Sequence, residues 1–410
     1  MHPSKRIAGS EGDVLAGKKV VLGVCGSVAA VKAPGIARTL MRRGAEVVCV
    51  MSPGSEHFIG AGLMHWATGN DVIMGITGKT EHVELFGSKK GEDCEGCADL
   101  LLIAPATFGT VGRIANGMEH GAVDLMAACT LGAGIPVMIA PAMHESLYKN
   151  QMFSENVRKL EACGVKFVPP RLEGGKAKIA MPDEIAAFVG REIGKGAGAL
   201  KGKRIVVTAG ATREFIDGVR FISNPSTGRM GVEVAKKAWQ MGAEVTLVAG
   251  HLDVEVPRYV KKLDAGTVEE MADAVKSCKA EAYVLAGAPG DFEVGGGVRK
   301  GKMDSKKAAE LKLKPTPKIA DSVKKWHPGA KLVVFKAESE AAGLEEKARK
   351  RMKECGADLA VANVVGGGRG FGEVKSEVLL IGRQGSKKVI GTKAEIAGAL
   401  LAELAAYLGR

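Results

Sequence analysis

Ile205-Val-Val-Thr-Ala-Gly210, a polar loop through Asn224-Pro-Ser-Thr-Gly228, a segment ending at Met241-Gly242, and Ala243-Glu-Val-Thr-Leu-Val-Ala249 together decide the fold. The two runs rich in β-branched residues read as buried strands. Between them Val234, Ala235, Ala238 and Trp239 recur at helical spacing until Gly242 ends the helix. Strand, glycine-bearing loop, helix, strand is a βαβ unit with a right-handed crossover. Its loop lies at the carboxyl end of the sheet, where a helix N-terminus offers N–H groups and partial positive charge to a phosphate.

The pattern occurs a second time. Val20-Val-Leu-Gly-Val24 leads into Gly26-Ser-Val-Ala-Ala30, a helix-like segment ends at Arg43-Gly44, and Ala45-Glu-Val-Val-Cys-Val-Met51 follows. The expected fold class is α/β: two tandem Rossmann-like three-layer domains with mainly parallel sheets, each built around a phosphate-bearing ligand. Gly190–Gly202 is glycine-rich, lacks an apolar face of useful length, and reads as a flexible linker between domains 1–195 and 196–410.

A chain of 410 residues suits two domains of ordinary size, each able to bury a full core. Aromatic residues are only 4% and glycines number 56, which favours backbone-lined sites over stacking surfaces for single-stranded nucleic acid. The net charge of +12 draws anionic partners. Lysines and arginines are dispersed, apart from Lys300–Lys307 and Lys347–Lys353, and no helix-turn-helix, zinc-finger or aromatic-basic signature accompanies them. Phosphorylated metabolites are therefore preferred to nucleic acid as ligands. Met1-His-Pro-Ser-Lys-Arg6 has no apolar signal core. Ala122–Met143 imitates a membrane span, but Asp124, Pro136 and Pro141 interrupt it, and it parses as a helix followed by a buried strand. Eight scattered cysteines, mostly in apolar runs, fit reduced thiols. The expectation is a soluble cytoplasmic protein with no membrane partner.

Several local motifs are weak alone. Gly78-Lys79-Thr80 has the tail of a P-loop, but Ile73 stands where its first glycine is needed. His82 is a single histidine, more often structural than catalytic. Cys94-Glu-Gly-Cys97 lacks the second pair a metal site needs and reads as two free surface thiols rather than a redox pair. The strand Ala98–Ala104 ends in Pro105-Ala-Thr107, and the strand Ile135–Ala140 ends in Pro141-Ala-Met-His144. Both endings set backbone groups along the carboxyl edge of one sheet, where such sheets bind cofactors.

Gly26-Ser-Val-Ala-Ala-x-Lys32, Met51-Ser52, His82-Val-Glu-Leu85, Ala104-Pro-Ala-Thr107 and Pro141-Ala-Met143 together resemble the flavin-containing cysteine decarboxylases. With its second half included, the chain resembles, over nearly its whole length, the bifunctional family of coenzyme A synthesis. That family pairs a phosphopantothenoylcysteine decarboxylase with a phosphopantothenate–cysteine ligase. The resemblance implies flavin mononucleotide (FMN) as cofactor: oxidation of the thiol side to a thioaldehyde gives the departing carboxylate's electrons a sink. It implies that Gly26 and Ser27 hold the FMN phosphate, that Ser52 and Thr107 line the flavin site, and that His82 is the general base. Met143 falls in the substrate-binding motif, and His144 replaces the family's asparagine, which holds the substrate carboxylate; a protonated histidine can pair with that carboxylate. The family's flap cysteine, a proton donor, has no counterpart in Pro169–Lys178, which leaves Lys176, Lys178, Cys163 or a member of the CxxC as alternatives.

In the second half, Thr212-Arg-Glu214 and Arg220-Phe-Ile-Ser-Asn224-Pro-Ser-Thr-Gly228 resemble the family's ligase motif, and a backbone nest at Ser226–Gly228 with Arg220 nearby suits a phosphate-rich ligand. The strand Ala282–Gly287 runs into Asp291, which can hold a ribose hydroxyl or a metal, or simply be a solvated turn residue. Lys300–Lys307 is a basic segment that can close over a triphosphate, with Lys302 at the family's first lysine. The resemblance implies carboxylate activation by CTP with Mg²⁺. Asn224 contacts the acyl-nucleotide and, with Arg220, the substrate. Lys302 stabilises the transferring phosphates, and Gly287, Asp291, Pro317, Lys318, Ile319, Phe335, Arg349 and Lys353 bind the nucleotide. No metal ligands are assigned. The implied partners are 4′-phosphopantothenate, cysteine and CTP, and the implied assembly is a homo-oligomer, trimer-based in the first half and dimeric in the second. Ala357–Asn363 reads as a further strand and Lys393–Leu408 as an amphipathic packing helix. Two other readings stand beside this one: an NAD(P)-dependent tandem-Rossmann oxidoreductase, disfavoured by the missing G-x-G-x-x-G, and a regulatory flavin-binding protein whose decarboxylase half is inactive.

Overall fold

Alternate residues of β1 (Lys19–Val24) enter different apolar layers, although all of Val20 to Leu22 and Val24 are buried. Val20, Leu22 and Val24 pack with Ile36 and Leu40 of the helix Ala33–Arg42 and with Ile185 and Val189 of the helix Pro182–Ile193. Val21 packs the other way, with Val111 of the helix Phe108–Ala115 and with Val123 and Met126 of Ala122–Gly132. A strand covered on both faces must be apolar throughout, so polar alternation is absent from its sequence. Each such Val or Leu contributes about 1.5–3 kcal/mol by leaving water. The structure is a computed structural model that describes residues 2–87, 96–299, 301–303, 310–365, 375–383 and 385–409.

The chain divides into two units, Met1–Ala197 and Gly198–Arg410. In the first, β1 is followed by β2 (Glu46–Met51), β3 (Val72–Ile73), β4 (Leu100–Ala106), β5 (Val137–Pro141), β6 (Met143–His144), β7 (Lys166–Phe167), β8 (Arg171–Glu173) and β9 (Lys176–Lys178). Six strands form one sheet in the order β3-β2-β1-β4-β5-β7, all pairs parallel. The strand order reverses between β1 and β4, the switch point at which open α/β sheets bind ligands. The remaining strands β8 and β9 form a hairpin through Gly174 and Gly175, both at positive φ, and β9 pairs with β6.

The second unit contains β10 (Arg204–Ala209), β11 (Arg213–Phe215), β12 (Phe221–Ser223), β13 (Glu244–Ala249), β14 (Lys261–Asp264), β15 (Ala282–Leu285), β16 (Phe292–Val294), β17 (Leu313–Pro315), β18 (Lys331–Glu338), β19 (Leu359–Val364), β20 (Ser376–Gly382) and β21 (Gly385–Gly391). Its main sheet runs β14-β13-β10-β15-β18-β19-β20-β21, parallel as far as β19 and antiparallel beyond it. Here the order reverses between β10 and β15. The helix Lys393–Leu408 packs against Arg229–Gln240 and buries Ile396, Leu400, Leu401 and Leu404, as its amphipathic pattern requires.

Three expectations change. β4 continues through Pro105 to Ala106, and its register against β5 shifts there because proline has no N–H to give the ladder. The segment Gly190–Gly202 is not a linker throughout: the helix Pro182–Ile193 includes Gly190 and ends on Ile193, which enters the core. At its other end Leu200 is fully buried and its amide donates to Met241 O at 2.8 Å. Cys97 is disulfide-bonded rather than a free thiol, and Cys94 lies outside the described residues.

One buried carboxylate carries a stability prediction. Asp358, 1% exposed, accepts from Lys324 Nζ at 2.7 Å, Leu332 N at 3.0 Å and Arg383 NH2 at 2.9 Å. Burial acts to raise its pKa, but Lys324 and the Leu332 amide outweigh it and hold the carboxyl below its ordinary value. Because the folded-state value is the lower one, the stabilisation is whole above about pH 4 and is lost as pH falls through the folded value. Asp358→Ala strands the half-buried Lys324 and should cost the second unit about 3 kcal/mol, read as a lower unfolding temperature at pH 7. An unchanged unfolding temperature would remove Asp358 from this role.

Candidate active sites

At the first switch point the strand ends stand side by side. Cys25 N donates to Pro105 O at 3.1 Å and Ser52 N to Val24 O at 2.9 Å, which brings the ends of β1, β2 and β4 together. Gly26, Ser27, Ser52 and Thr107 follow these ends, and Met143 follows β5. Gly26 is required by packing: a Cβ there would lie 2.8 Å from the Gly54 carbonyl carbon and oxygen. Ser27 accepts from Ala29 N at 3.2 Å and caps the 3₁₀ turn Val28–Lys32, which runs directly into the helix Ala33–Arg42. Thr107 accepts from Thr110 N at 3.2 Å and opens the helix Phe108–Ala115. The Ser52 side chain makes no such cap.

His82 stands on a separate short helix, Glu81–Phe86, that packs on Ala122–Gly132. Its Nδ1 is buried with no hydrogen-bond partner. An unmet buried polar atom costs about 1–3 kcal/mol, which makes this ring a place for a reactant or cofactor atom. His144 is exposed; its Nδ1 lies 2.9 Å from Ser146 Oγ and its register partner across β6–β9 is Lys176. Of the proton-donor alternatives, Lys178 is committed to Glu173 at 3.1 Å, and a disulfide-bonded Cys97 has no proton to give. Cys163 is a free, exposed thiol at the end of the helix Gln151–Ala162.

Sequence reasoning missed the group behind Thr107. Thr107 Oγ1 meets Thr110 Oγ1 at 3.0 Å, Arg113 NH2 reaches Thr110 Oγ1 at 3.3 Å, and Arg113 Nε donates to the buried Asp124 at 2.7 Å. Cys25 lies among them, its thiol pushed up to about 11, chiefly by burial, and so protonated at neutral pH. The threefold spacing Thr107, Thr110, Arg113 on one helix face was the available signal.

At the second switch point β10 leaves the sheet as a β11–β12 hairpin before the helix Arg229–Gln240 begins, so no short glycine turn forms there. Two buried threonines tie the loop after β15 to β10 and the turn that follows it: Thr208 Oγ1 accepts from Gly287 N and Thr212 Oγ1 from Gly290 N, both at 2.9 Å. Asn224 Nδ2 donates to Pro289 O at 3.0 Å and to Ala288 O at 3.4 Å, which leaves its Oδ1 as an acceptor at the same loop. A cleft is lined by Gly287, Asp291, Pro317, Lys318, Ile319 and Phe335, with Thr208 and Arg351. Asp291 is ion-paired with Lys318.

Other residues stand elsewhere. Arg349 pairs with Glu345 at 2.7 Å, Lys353 is exposed, and neither lines the cleft; Arg351 does, paired with Asp321 at 2.7 Å. At 100° per residue, position 351 lies on the opposite side of the helix Leu344–Cys355 from 349 and 353. Arg220 is bonded to Asp217 and Met303 O. Glu214 of the Thr-Arg-Glu run is structural, accepting from Val268 N at 3.0 Å. Gly228, at φ +74, opens the helix Arg229–Gln240, and its amide donates to Ser226 Oγ at 3.4 Å. Lys302 is exposed, and 300 and 304–307 of its basic segment lie outside the described residues.

Two open, mainly parallel α/β units, each with a switch point, define a tandem Rossmann-like protein. Residues 9–194 match the Flavoprotein family and 200–408 the DNA/pantothenate metabolism flavoprotein C-terminal domain. The chain is 43% identical to the coenzyme A biosynthesis bifunctional protein CoaBC of Thermococcus kodakarensis, over 98% of this chain and 99% of that one. It is 32% identical to the protein of the same name from Methanocaldococcus jannaschii, over 97% and 95%. A solved C-terminal domain of such a protein is 28% identical, covers 52% of this chain and 98% of its own length, and superposes with a TM-score of 0.44. The chain belongs to the family of coenzyme A biosynthesis bifunctional proteins. Among the described residues, no helix is long and apolar enough to cross a membrane.

Proposed function

We propose that the second unit joins cysteine to 4′-phosphopantothenate at the expense of CTP, and that the first decarboxylates the product to 4′-phosphopantetheine with bound FMN. The single observation that carries this is the presence of two separate switch-point sites on one chain, one in each family-matched unit.

In ligation the 4′-phosphopantothenate carboxylate attacks the α-phosphate, forming an acyl-cytidylate and releasing pyrophosphate. The cysteine amine then displaces CMP and forms the amide. Asn224 accepts from the acyl-nucleotide through Oδ1, since its Nδ2 is committed to Pro289 O and Ala288 O. Asp291 and Lys318 meet the ribose and phosphates, and Arg351 takes the part given to Arg349 and Lys353, because it lines the cleft and they do not. Lys302 stabilises charge on the transferring phosphates. The β12 strand separates its anchor at Arg220 from Asn224 by three intervening residues, about 13 Å, a span that a lysine and a triphosphate chain bridge together. Mg²⁺ enters on the triphosphate as part of the substrate.

The first site suits FMN. Gly26 has no side chain to obstruct it, Ser27 stands at a helical N-terminus, Ser52 makes no cap, and His82 Nδ1 is buried and unmatched. When bound, the flavin supplies the electron sink and source that let the carboxylate leave without net redox change. Ser27 and Gly26 hold its phosphate, and Ser52 and Thr107 orient it. His82 takes the thiol-side proton. His144, opposite Lys176, holds the substrate carboxylate until carbon dioxide departs; Lys176 is the donor candidate its register supports.

Expressed separately, residues 1–197 should fold, turn yellow with added FMN and release carbon dioxide from 4′-phosphopantothenoylcysteine. Residues 198–410 should fold and release pyrophosphate. Soluble fragments lacking these activities would contradict the division of labour.

A further inference from the structure

The turn of the β11–β12 hairpin is tied at three points to the stretch that carries Lys302. Ile216 O accepts from Arg299 N at 3.0 Å, Asp217 Oδ2 from Met303 N at 3.0 Å, and Met303 O from Arg220 NH1 at 3.1 Å. Asp217 also gathers its own turn: Oδ1 accepts from Val219 N at 2.8 Å and Arg220 N at 2.7 Å, and Oδ2 from Arg220 NH1 at 2.9 Å. The carboxylate is fully enclosed, at 0% exposure. These bonds, the Met303 amide foremost, hold it far below the usual carboxylate range, so it is an acceptor at every physiological pH. Between the two anchors Gly301, at φ +81, turns the chain, and Lys302 follows it exposed.

We propose that Asp217 is a positioning residue for ligation, fixing Met303 and therefore Lys302 relative to the hairpin whose outgoing strand leads into Asn224. This rests on the reading of Lys302 as the residue that meets the transferring phosphates. Asp217 itself touches no reactant. Its carboxylate holds the Met303 amide directly after the lysine and gathers the turn whose Ile216 carbonyl holds Arg299 before it, so losing that carboxylate releases the lysine from its register. A displacement of about 1 Å at a catalytic group costs about a hundredfold in rate.

The test is ligation by the full chain in Asp217→Asn, Lys302→Gln and the double variant, with nucleotide concentration varied. Asp217→Asn should lower kcat about a hundredfold and move the nucleotide KM by less than about threefold. The double variant should be no slower than Lys302→Gln, because one residue acts through the other. Losses that multiply in the double variant, or a normal kcat in Asp217→Asn, would overturn the positioning role. A normal rate in Lys302→Gln would instead overturn the reading of the lysine, and the positioning role with it. Should Asp217→Asn fail to fold, Met303→Pro removes one anchoring amide and leaves the turn's own bonds intact. It should lose kcat in the same way while decarboxylation is untouched, and a normal kcat there would equally overturn the proposal.

Discussion

His82→Asn should abolish carbon dioxide release from 4′-phosphopantothenoylcysteine while FMN stays bound and ligation proceeds at the wild-type rate. Asparagine keeps a similar size and a hydrogen-bonding end but cannot accept a proton near neutral pH. Loss of a positioned general base costs roughly 10²–10⁴-fold. FMN binding should survive because Gly26, Ser27, Ser52 and Thr107 follow the sheet strands, whereas His82 belongs to the helix Glu81–Phe86. Ligation should survive because it is carried by the other unit. Flavin absorbance, carbon dioxide and pyrophosphate read the three outcomes separately. Retained decarboxylation would return the histidine to a packing role and leave its buried Nδ1 unexplained.

Lys302→Gln should have the second large effect, a fall of roughly 10²–10³-fold in pyrophosphate release with decarboxylation unchanged. Glutamine can still donate a hydrogen bond but brings no charge to the phosphates as they separate. Lys302 is exposed, so the substitution leaves no cavity and creates no buried unpaired group. A kinetic loss without a fall in unfolding temperature therefore reports chemistry rather than stability. An unchanged rate would assign the lysine to ordinary solvated surface.

The sheet strands were legible because a strand covered on both faces has no choice but to be apolar, as Val20–Val24 and Ile205–Val207 are. The strand-end residues followed with them, since a parallel sheet puts every such ending on one edge. What stayed hidden depends on which side of an element a residue occupies, or on partners distant in the chain. Arg351 and Arg349 differ by two positions and by most of half a helical turn, and a basic run in sequence does not say which one faces the cleft. Asp217 meets Met303 across 86 positions, and nothing local to Ile216–Arg220 announces the partner. Arg113 and Asp124 lie on different helices, so Asp124 registered only as a break in an apolar stretch. The glycines of Gly190–Gly202 outweigh in sequence the two residues that bury themselves there, Ile193 in the core and Leu200.

The most direct test of two chemistries on one chain is a single incubation of the purified protein with 4′-phosphopantothenate, cysteine, CTP and Mg²⁺, following pyrophosphate and carbon dioxide together. Pyrophosphate should appear first and carbon dioxide after a lag, in equal final amounts, with 4′-phosphopantetheine as product. A colourless protein that takes up no FMN and releases neither product would contradict the account.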